Sequence, residues 1–213
     1  MNHNTRPPDF DYASADESEL VALAAEDKMA FGELYQRYVK RIYNYFYYRM
    51  GSHEDAEDLT ARVFIRAMAH IENYDDRGVP FSAWLYRIAH NLVANWHRDN
   101  DRHKVIPLDE FLANKILTDA PDTLTEIKEE QELLLASIRR LPEERQQLIF
   151  LKFVERMSNQ EIGEVMNRTE GAIKSLYHRT LSTLHEDLTT KGISLGRVAE
   201  EVKRKRRVRK NNA

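Results

Sequence analysis

Apolar residues recur along most of this chain at the spacing of an α-helix, and this periodicity restricts the fold more than any other feature. Spacings of three and four residues place such side chains on one face of a helix, and we find no convincing strand-like alternation and no internal repeat. We therefore predict an all-α fold. The clearest stripe lies between Lys28 and Met50 and comprises Phe31, Leu34, Tyr35, Tyr38, Val39, Ile42, Tyr43 and Phe46.

Two further stripes complete an N-terminal helical bundle, which we place at residues 17–102 with a short leading helix near Glu17 to Asp27. Gly51 ends the first long helix, and Ser52 with Asp55 resembles a capping box at the start of the next. We expect both Trp84 and Trp96 to be buried. The second stripe comprises Ala56, Leu59, Val63, Phe64, Ala67 and Ile71, and the third comprises Phe81, Trp84, Leu85, Ile88, Ala89, Leu92, Val93 and Trp96.

The remaining chain divides by composition. Residues 1–16 are expected to be a disordered N-terminal segment, and residues 103–127 an acidic linker interrupted by Pro107 and Pro121. A second helical domain is predicted at 128–190, with Pro142 in the first turn of one helix. Residues 191–213 form a basic tail whose like charges repel each other. We therefore predict two helical domains joined by an acidic linker.

Composition excludes several classes of protein. The chain has 32 Lys and Arg against 35 Asp and Glu, a net charge of -3, which argues against a free-standing, strongly basic DNA-binding protein. It has no Cys, so thiol catalysis and thiolate-bound zinc are excluded. Apolar runs are too short for membrane insertion, and we expect a cytoplasmic protein. His90 and His97 lack a third ligand, no catalytic motif is present, and we expect neither a cofactor nor enzymatic activity.

The strongest local signal is a helix-turn-helix between Met157 and Leu184. Ser158 and Glu161 form a capping box, Gly163 is small where two helices approach, Asn167 suits the turn, and Thr169 caps the second helix. Its inner stripe comprises Ile173, Leu176, Tyr177, Thr180, Leu181 and Leu184. The residues expected to face DNA are Arg168, Thr169, Lys174, Ser175, His178 and Arg179. The plainer alternative is a helical hairpin with solvated charges.

These segments resemble the extracytoplasmic-function (ECF) sigma factors, which direct bacterial RNA polymerase to promoters. The stretch LPEERQQLIFLKFVERMSNQEIGEVMNRTEGAIKSLYHRTLSTL resembles region 4 of that family, which reads the -35 element. DAEDLTARVFIRAM and FSAWLYRIAHNLVANWHRD resemble regions 2.2 and 2.4. The resemblance covers roughly residues 18–188 and implies that the partners are promoter DNA and core RNA polymerase.

For region 2.2, the resemblance implies docking on the clamp helices of the largest polymerase subunit, and the flap is a further polymerase contact. The residues implied to bind core polymerase are Asp55, Glu57, Asp58, Leu59 and Phe64. Carboxylates beside apolar residues suit a partner that is both basic and apolar. Ala61 and Arg62 depart from the Gln-Glu that is common in the family.

For region 2.4, the resemblance implies that the helix and the preceding loop bind the -10 element and hold a flipped base. Arg side chains neutralise phosphate, Asn side chains read base edges, and Tyr86 on the exposed face is expected to stack on an unpaired base. The residues assigned to this contact are Asn73, Tyr74, Asp75, Tyr86, Arg87, His90, Asn91, Asn95 and Arg98.

Two other readings remain open at this point. One is a stand-alone helix-turn-helix regulator whose N-terminal bundle senses a ligand or dimerises. The other is a helical enzyme that carries an incidental DNA-binding module. The acidic linker has a family counterpart that threads polymerase channels, and the basic tail favours weak electrostatic contact with DNA. The sequence leaves open whether an anti-sigma factor restrains the protein.

Overall fold

The computed structural model describes residues 10–74, 78–99 and 125–190 of the chain. In these ranges the chain forms eight α-helices and no strand, which confirms the all-α class. A 3₁₀ turn (Ile71–Asn73) follows α3, and a π-helical turn (Phe150–Val154) follows α6. The helices are α1 (Glu17–Leu23), α2 (Lys28–Met50), α3 (His53–His70), α4 (Phe81–Asp99), α5 (Thr125–Arg139), α6 (Glu143–Ile149), α7 (Asn159–Met166) and α8 (Glu170–Thr190).

The helices group into two compact units. The first contains α1–α4 and residues 156–173, which comprise α7 and the start of α8. The second contains α5, α6, the π-helical turn and the rest of α8. The domain predicted from the sequence at 128–190 instead places α7 together with α5, α6 and α8. Most of the expected acidic linker and the whole basic tail lie outside the described residues, and α5 already begins at Thr125.

The core of the first unit is built on α2, which packs against α1, α3 and α4. Leu34, Ile42 and Phe46 of α2 are fully buried, as are Phe81 and Leu85 of α4. Burial stabilises side chains of this size by about 1.5–3 kcal/mol each relative to exposure. The apolar stripes predicted from the sequence therefore form one rigid frame that supports the outer faces of α3 and α4.

The burial of residues at the edges of these stripes differs from the prediction. Trp84 and Trp96 are half-buried rather than buried, and Tyr35 is 40% exposed. The Tyr35 ring packs edge-on against Phe64 with 4.8 Å between the ring centroids. These residues lie at the margin of their helix faces, where the position of the neighbouring helix decides which atoms are covered.

The segment before α1 is held against α2 by Tyr12, whose hydroxyl donates to Asp27 Oδ2 at 2.6 Å, and by Arg37. Its Nη2 donates to the backbone carbonyls of Tyr12, Ala13 and Ala15 at 3.1, 3.0 and 2.9 Å, while its Nε pairs with Glu33 at 2.8 Å. A guanidinium offers several donors in a fixed plane, which suits a row of carbonyls. Residues 10–16 of the segment predicted to be disordered take part in these contacts, and residues 1–9 lie outside the described residues.

The second unit is held together by α5, α6 and the C-terminal part of α8. Arg145 Nη1 donates to Thr183 Oγ1 at 3.0 Å, and Arg140 pairs with Asp187 at 2.5 Å. A hydrogen bond from Ser137 and the neighbouring Arg140 hold the pKa of Asp187 below its ordinary value. Pro142 is the N-cap of α6 and not a first-turn residue as predicted.

The chain between α6 and α7 departs from regular helix geometry twice. In the π-helical turn, the Glu155 amide donates to the Phe150 carbonyl at 3.2 Å, a separation of five residues. Arg156 then adopts a left-handed conformation with φ 59°, which is strained for a residue with a side chain. Phe153 in the π-helical turn is 54% exposed although it is strongly apolar.

Candidate polymerase and nucleic-acid interfaces

The turn between α7 and α8 has each capping feature predicted from the sequence. Ser158 and Glu161 form a reciprocal capping box at the start of α7. Asn167 ends α7 in the left-handed conformation with φ 53°, which reverses the chain. Thr169 Oγ1 accepts the Ala172 amide at 3.2 Å and so caps the start of α8. These features of the predicted helix-turn-helix are confirmed.

Gly163 is required in this turn for space. It is buried, and a Cβ added there would lie 2.6 Å from the Arg168 carbonyl oxygen, inside the contact distance of real side chains. The Arg168 amide donates to the Gly163 carbonyl at 2.9 Å, which holds the chain close at this point. The close approach predicted at Gly163 is confirmed, and it involves the backbone of the turn.

The polar residues predicted to read the -35 element lie at the surface. In α8, Lys174 and Ser175 are followed one turn later by His178 and Arg179, so the four occupy one exposed face of the helix. Leu181 of the predicted inner stripe is instead 39% exposed. The full set of predicted -35 contacts is exposed: Arg168, Thr169, Lys174, Ser175, His178 and Arg179.

On α4, the predicted DNA-binding residues are only partly on the surface. Arg87, Asn91 and Asn95 are exposed and follow each other at intervals of four residues, and His90 is half-buried. The prediction that Tyr86 lies on the exposed face is wrong: Tyr86 is fully buried and its ring packs edge-on against Tyr45 at 5.3 Å. The side chain of Arg98 lies outside the described residues.

The chain leading into α4 is shaped by an aromatic cluster. Tyr74 is half-buried, and its hydroxyl donates to the Val79 carbonyl at 2.8 Å. Its ring packs near Phe81 and Trp84, with centroid distances of 5.6 and 5.3 Å. Asn73 before it is exposed, whereas Asp75 lies outside the described residues.

A cavity of about 600 Å³ lies beside this cluster, between α1 and the chain around the 3₁₀ turn. Its lining includes the apolar side chains of Ile71 and Phe81 and the acidic side chains of Asp16, Glu17 and Glu72. Tyr38 donates to the Glu17 carboxylate behind it, and burial followed by this hydrogen bond raises the pKa of Tyr38 well above its ordinary value. The cavity is therefore lined both by apolar side chains and by carboxylates that accept hydrogen bonds.

On α3, the five residues predicted to bind core polymerase have different positions. Glu57 and Asp58 are exposed, whereas Leu59 and Phe64 are buried in the first unit at 3% and 5% exposure. Asp55 is half-buried and accepts a hydrogen bond from Trp96 Nε1 at 3.4 Å. Glu57 and Asp58 can contact a partner directly, and the other three shape the helix that presents them.

The outer face of α3 also carries apolar side chains that the sequence analysis did not select. Ile65 and Met68 are 62% and 54% exposed, on the same face as Ala61 and Asp58. Arg62 Nε pairs with Asp58 at 2.9 Å, so the positive charge by which Arg62 departs from the family pattern is balanced by a carboxylate on the same helix. The sequence does contain a signal for this surface, because Ile65 and Met68 are apolar and yet lie outside the apolar stripe that α3 buries.

The described residues contain neither a candidate metal site nor a candidate membrane-spanning helix. In residues 10–74, 78–99 and 125–190, His, Asp and Glu form no group of three that could hold a metal ion. None of the helices described above is long and apolar enough to cross a membrane.

Comparison with known proteins decides the family. The profile of Sigma-70 region 2 matches residues 34–103, and that of Sigma-70 region 4 matches residues 131–184. The ECF RNA polymerase sigma factor BldN of Streptomyces coelicolor is 39% identical over 181 residues, covering 84% of this chain and 68% of BldN. The chain belongs to the ECF RNA polymerase sigma factors. SigW of Bacillus subtilis, also an ECF sigma factor, is 31% identical over 172 residues, covering 76% of this chain and 90% of SigW.

Solved structures support the fold of this sigma factor. CnrH, in a complex with the cytosolic domain of CnrY, aligns with a TM-score of 0.56 at 22% identity, covering 82% of this chain and 97% of CnrH. RpoE of Bartonella quintana, in a complex with the anti-sigma factor NepR, aligns with a TM-score of 0.51 at 17% identity, covering 75% and 96%. The helical architecture of this sigma factor is thus shared with these solved structures at low sequence identity.

Proposed function

We propose that this sigma factor binds core polymerase through the outer face of α3, the -10 element through α4 and the loop before it, and the -35 element through α8. The observation that carries this proposal is the exposed polar face of α8, which directly follows a capped and sterically tight turn. Each of the three helices buries one stripe and exposes polar side chains on the other side. Such helices can present side chains to a partner without losing their packing.

The α3 face suits a helix that is basic at one end and apolar at the other. Glu57 and Asp58 lie in its N-terminal half, and Ile65 and Met68 lie in its C-terminal half. Charged residues steer the encounter with a partner, and apolar side chains that become buried supply most of the affinity. The clamp helices implied by the family resemblance are the proposed partner.

The second unit offers an apolar surface for the polymerase flap. Phe153 is 54% exposed, and its ring lies 6.3 Å from that of Tyr177, one turn before the exposed Leu181. Lys152 Nζ lies 5.8 Å from the Tyr177 ring centroid and adds a positive charge at the edge. An apolar segment with an acidic flank fits this surface, and we assign it to the flap.

For the -10 element, Arg87 is assigned to phosphate, and Asn91 and Asn95 to base edges. The cavity beside Tyr74 is proposed to hold the flipped base. The carboxylates in its lining accept hydrogen bonds and donate none, so a base with an exocyclic amino group fits better than one with only carbonyl groups. The buried Tyr86 supports this face from behind and does not stack on DNA.

The proposed action is binding, and no bond is made or broken by the protein itself. Because the chain has a net charge of -3, we expect the free chain to bind DNA weakly. We expect specific binding by the holoenzyme in the cytoplasm, because two DNA-reading surfaces are then tied to one polymerase. A stand-alone regulator would instead bind its operator without polymerase. Sub-micromolar specific binding by the free chain at physiological salt would therefore contradict the proposal.

Run-off transcription with purified core polymerase and fragmented genomic DNA tests this function. We expect new start sites that depend on the protein and share an element near -35. Lys174→Ala and Arg179→Ala should each cost about 1–3 kcal/mol at that element if the residue contacts a base. Lys28→Ala, which removes an exposed positive charge at the start of α2, is the matched control. Footprints that form without polymerase, together with no initiation, would support the regulator instead.

A further inference from the structure

Arg156, between the π-helical turn and α7, places a surface cation on a strained backbone. Its φ of 59° lies in the left-handed region, which disfavours any residue with a Cβ and suits glycine. The residue is exposed, and its guanidinium has neither a hydrogen-bond acceptor nor a carboxylate partner among the residues that the structure describes. No contact of this side chain within that part of the chain therefore offsets the strain, and strain of this kind recurs at binding sites.

The backbone on both sides of Arg156 is fixed. Before it, the Glu155 amide donates to the Phe150 carbonyl at 3.2 Å, and after it, Met157 is buried. Ser158 then begins α7 as its N-cap. Arg156 is thus held in place at the start of the helix-turn-helix. Little ordering of the chain is needed when a partner binds its side chain, which favours binding.

The length of α7 relates Arg156 to the helix that reads DNA. α7 has eight residues, which at 1.5 Å per residue span about 12 Å. The major groove of B-DNA is also about 12 Å wide. In helix-turn-helix proteins the second helix lies in this groove and the first helix crosses the sugar-phosphate backbone. When α8 lies in the groove, the start of α7 therefore reaches the phosphates at its edge, and Arg156 precedes that start.

We propose that Arg156 binds a DNA phosphate beside the -35 element and so fixes the position of α8 in the groove. A guanidinium keeps its charge at neutral pH and offers a planar fork of donors that matches phosphate oxygens. This inference rests on the proposed assignment of α8 to the -35 element. It adds a contact that carries no sequence information and sets the register in which the residues of α8 meet the bases.

The salt dependence of promoter binding by the holoenzyme tests this contact. Each phosphate contact contributes about 0.9 to the slope of log affinity against log salt concentration. Arg156→Gly and Arg156→Gln should each lower that slope by about 0.9, whereas Arg156→Lys retains the charge and should keep it. Between about 50 and 200 mM salt, the wild type should therefore lose about 3.5-fold more affinity than the glycine variant.

The glycine variant separates a DNA contact from a structural role. Glycine relieves the strain at φ 59°, so weaker DNA binding by this variant cannot be attributed to a less stable fold. Lys28→Ala removes the same charge from an exposed position at the start of α2 and should leave the slope unchanged. A wild-type slope in Arg156→Gly, or an equal change in Lys28→Ala, would overturn the proposal. So would a loss that varies with the sequence of the -35 element, because a phosphate contact weakens all sequences alike.

The free chain provides a second measurement that needs neither promoter nor polymerase. We expect Arg156→Gly to bind a short fluorescent duplex of mixed sequence more weakly than the wild type at about 50 mM salt, and with a shallower salt slope. Equal binding of the two proteins to this duplex would contradict the contact. Failed run-off transcription together with a reduced slope on the duplex would contradict the proposed function and leave the Arg156 contact standing.

Discussion

Replacing Gly163 by alanine should destabilise this sigma factor, although alanine is normally the better helix residue. Gly163 lies inside α7, where Gly→Ala is expected to add about 1 kcal/mol of stability through helix propensity. The added Cβ, however, would lie 2.6 Å from the Arg168 carbonyl oxygen. That atom belongs to the backbone of a tight turn, so it cannot swing away like the end of a flexible side chain.

The size of the effect follows from these two opposing contributions. Forcing an extra carbon into a closely packed site typically costs about 1–3 kcal/mol, and occasionally more. A shift of the turn would also strain the bond from the Arg168 amide to the Gly163 carbonyl, now 2.9 Å long. After the gain in propensity is subtracted, we expect a net loss of up to about 2 kcal/mol, or a few degrees in Tm for a chain of this size.

Urea unfolding of the full chain followed by far-UV circular dichroism measures this loss. Gly32→Ala is the matched control because Gly32 is exposed inside α2 and an added Cβ there meets nothing within 4 Å. The control should be stabilised by up to about 1 kcal/mol. If Gly163→Ala is as stable as Gly32→Ala, the close approach in the turn is not what restricts this position.

Three further predictions concern other parts of the chain. Ile65→Ser with Met68→Ser should leave stability unchanged and weaken binding to core polymerase at least tenfold in a competition assay, whereas Met29→Ser on α2, equally exposed, should not. Arg156→Gly should raise the free energy of unfolding by about 1 kcal/mol because φ 59° costs glycine nothing, and a loss in urea unfolding would contradict this. The contacts that lower the pKa of Asp187 stabilise the fold at pH values above its ordinary pKa of 3.8, and this stabilisation is lost as the pH falls through the lowered pKa. Asp187→Asn should therefore flatten the acid side of the curve of unfolding free energy against pH.

The turn of the helix-turn-helix could be predicted from sequence because its determinants are local. The capping box of Ser158 and Glu161 needs only four consecutive residues, and Thr169 caps α8 in the same way. Asn167 is one of the few residue types that readily adopts the left-handed conformation found there. Such features depend on the backbone within one turn and not on distant packing.

Burial at the edges of helix faces could not be predicted in this way. Tyr86 and Tyr35 both lie near the border of an apolar stripe, yet one is fully buried and the other 40% exposed. Their exposure depends on where the neighbouring helices lie, and a periodicity of 3.6 residues does not contain that information. Ile65 was missed for a related reason, since a complete buried stripe gave no cause to look for apolar residues outside it. The π-helical turn at Phe150–Val154 has no composition that distinguishes it from an ordinary helix.

The placement of both tryptophans on α4 gives this sigma factor a built-in optical probe. Trp84 packs near Tyr74 at the loop end of the helix, and Trp96 donates to Asp55 of α3 near its other end. Because the chain has only these two tryptophans, its indole fluorescence originates entirely from the helix assigned to the -10 element. Binding of DNA to this helix can therefore be followed in unlabelled protein, in real time and during a single mixing experiment.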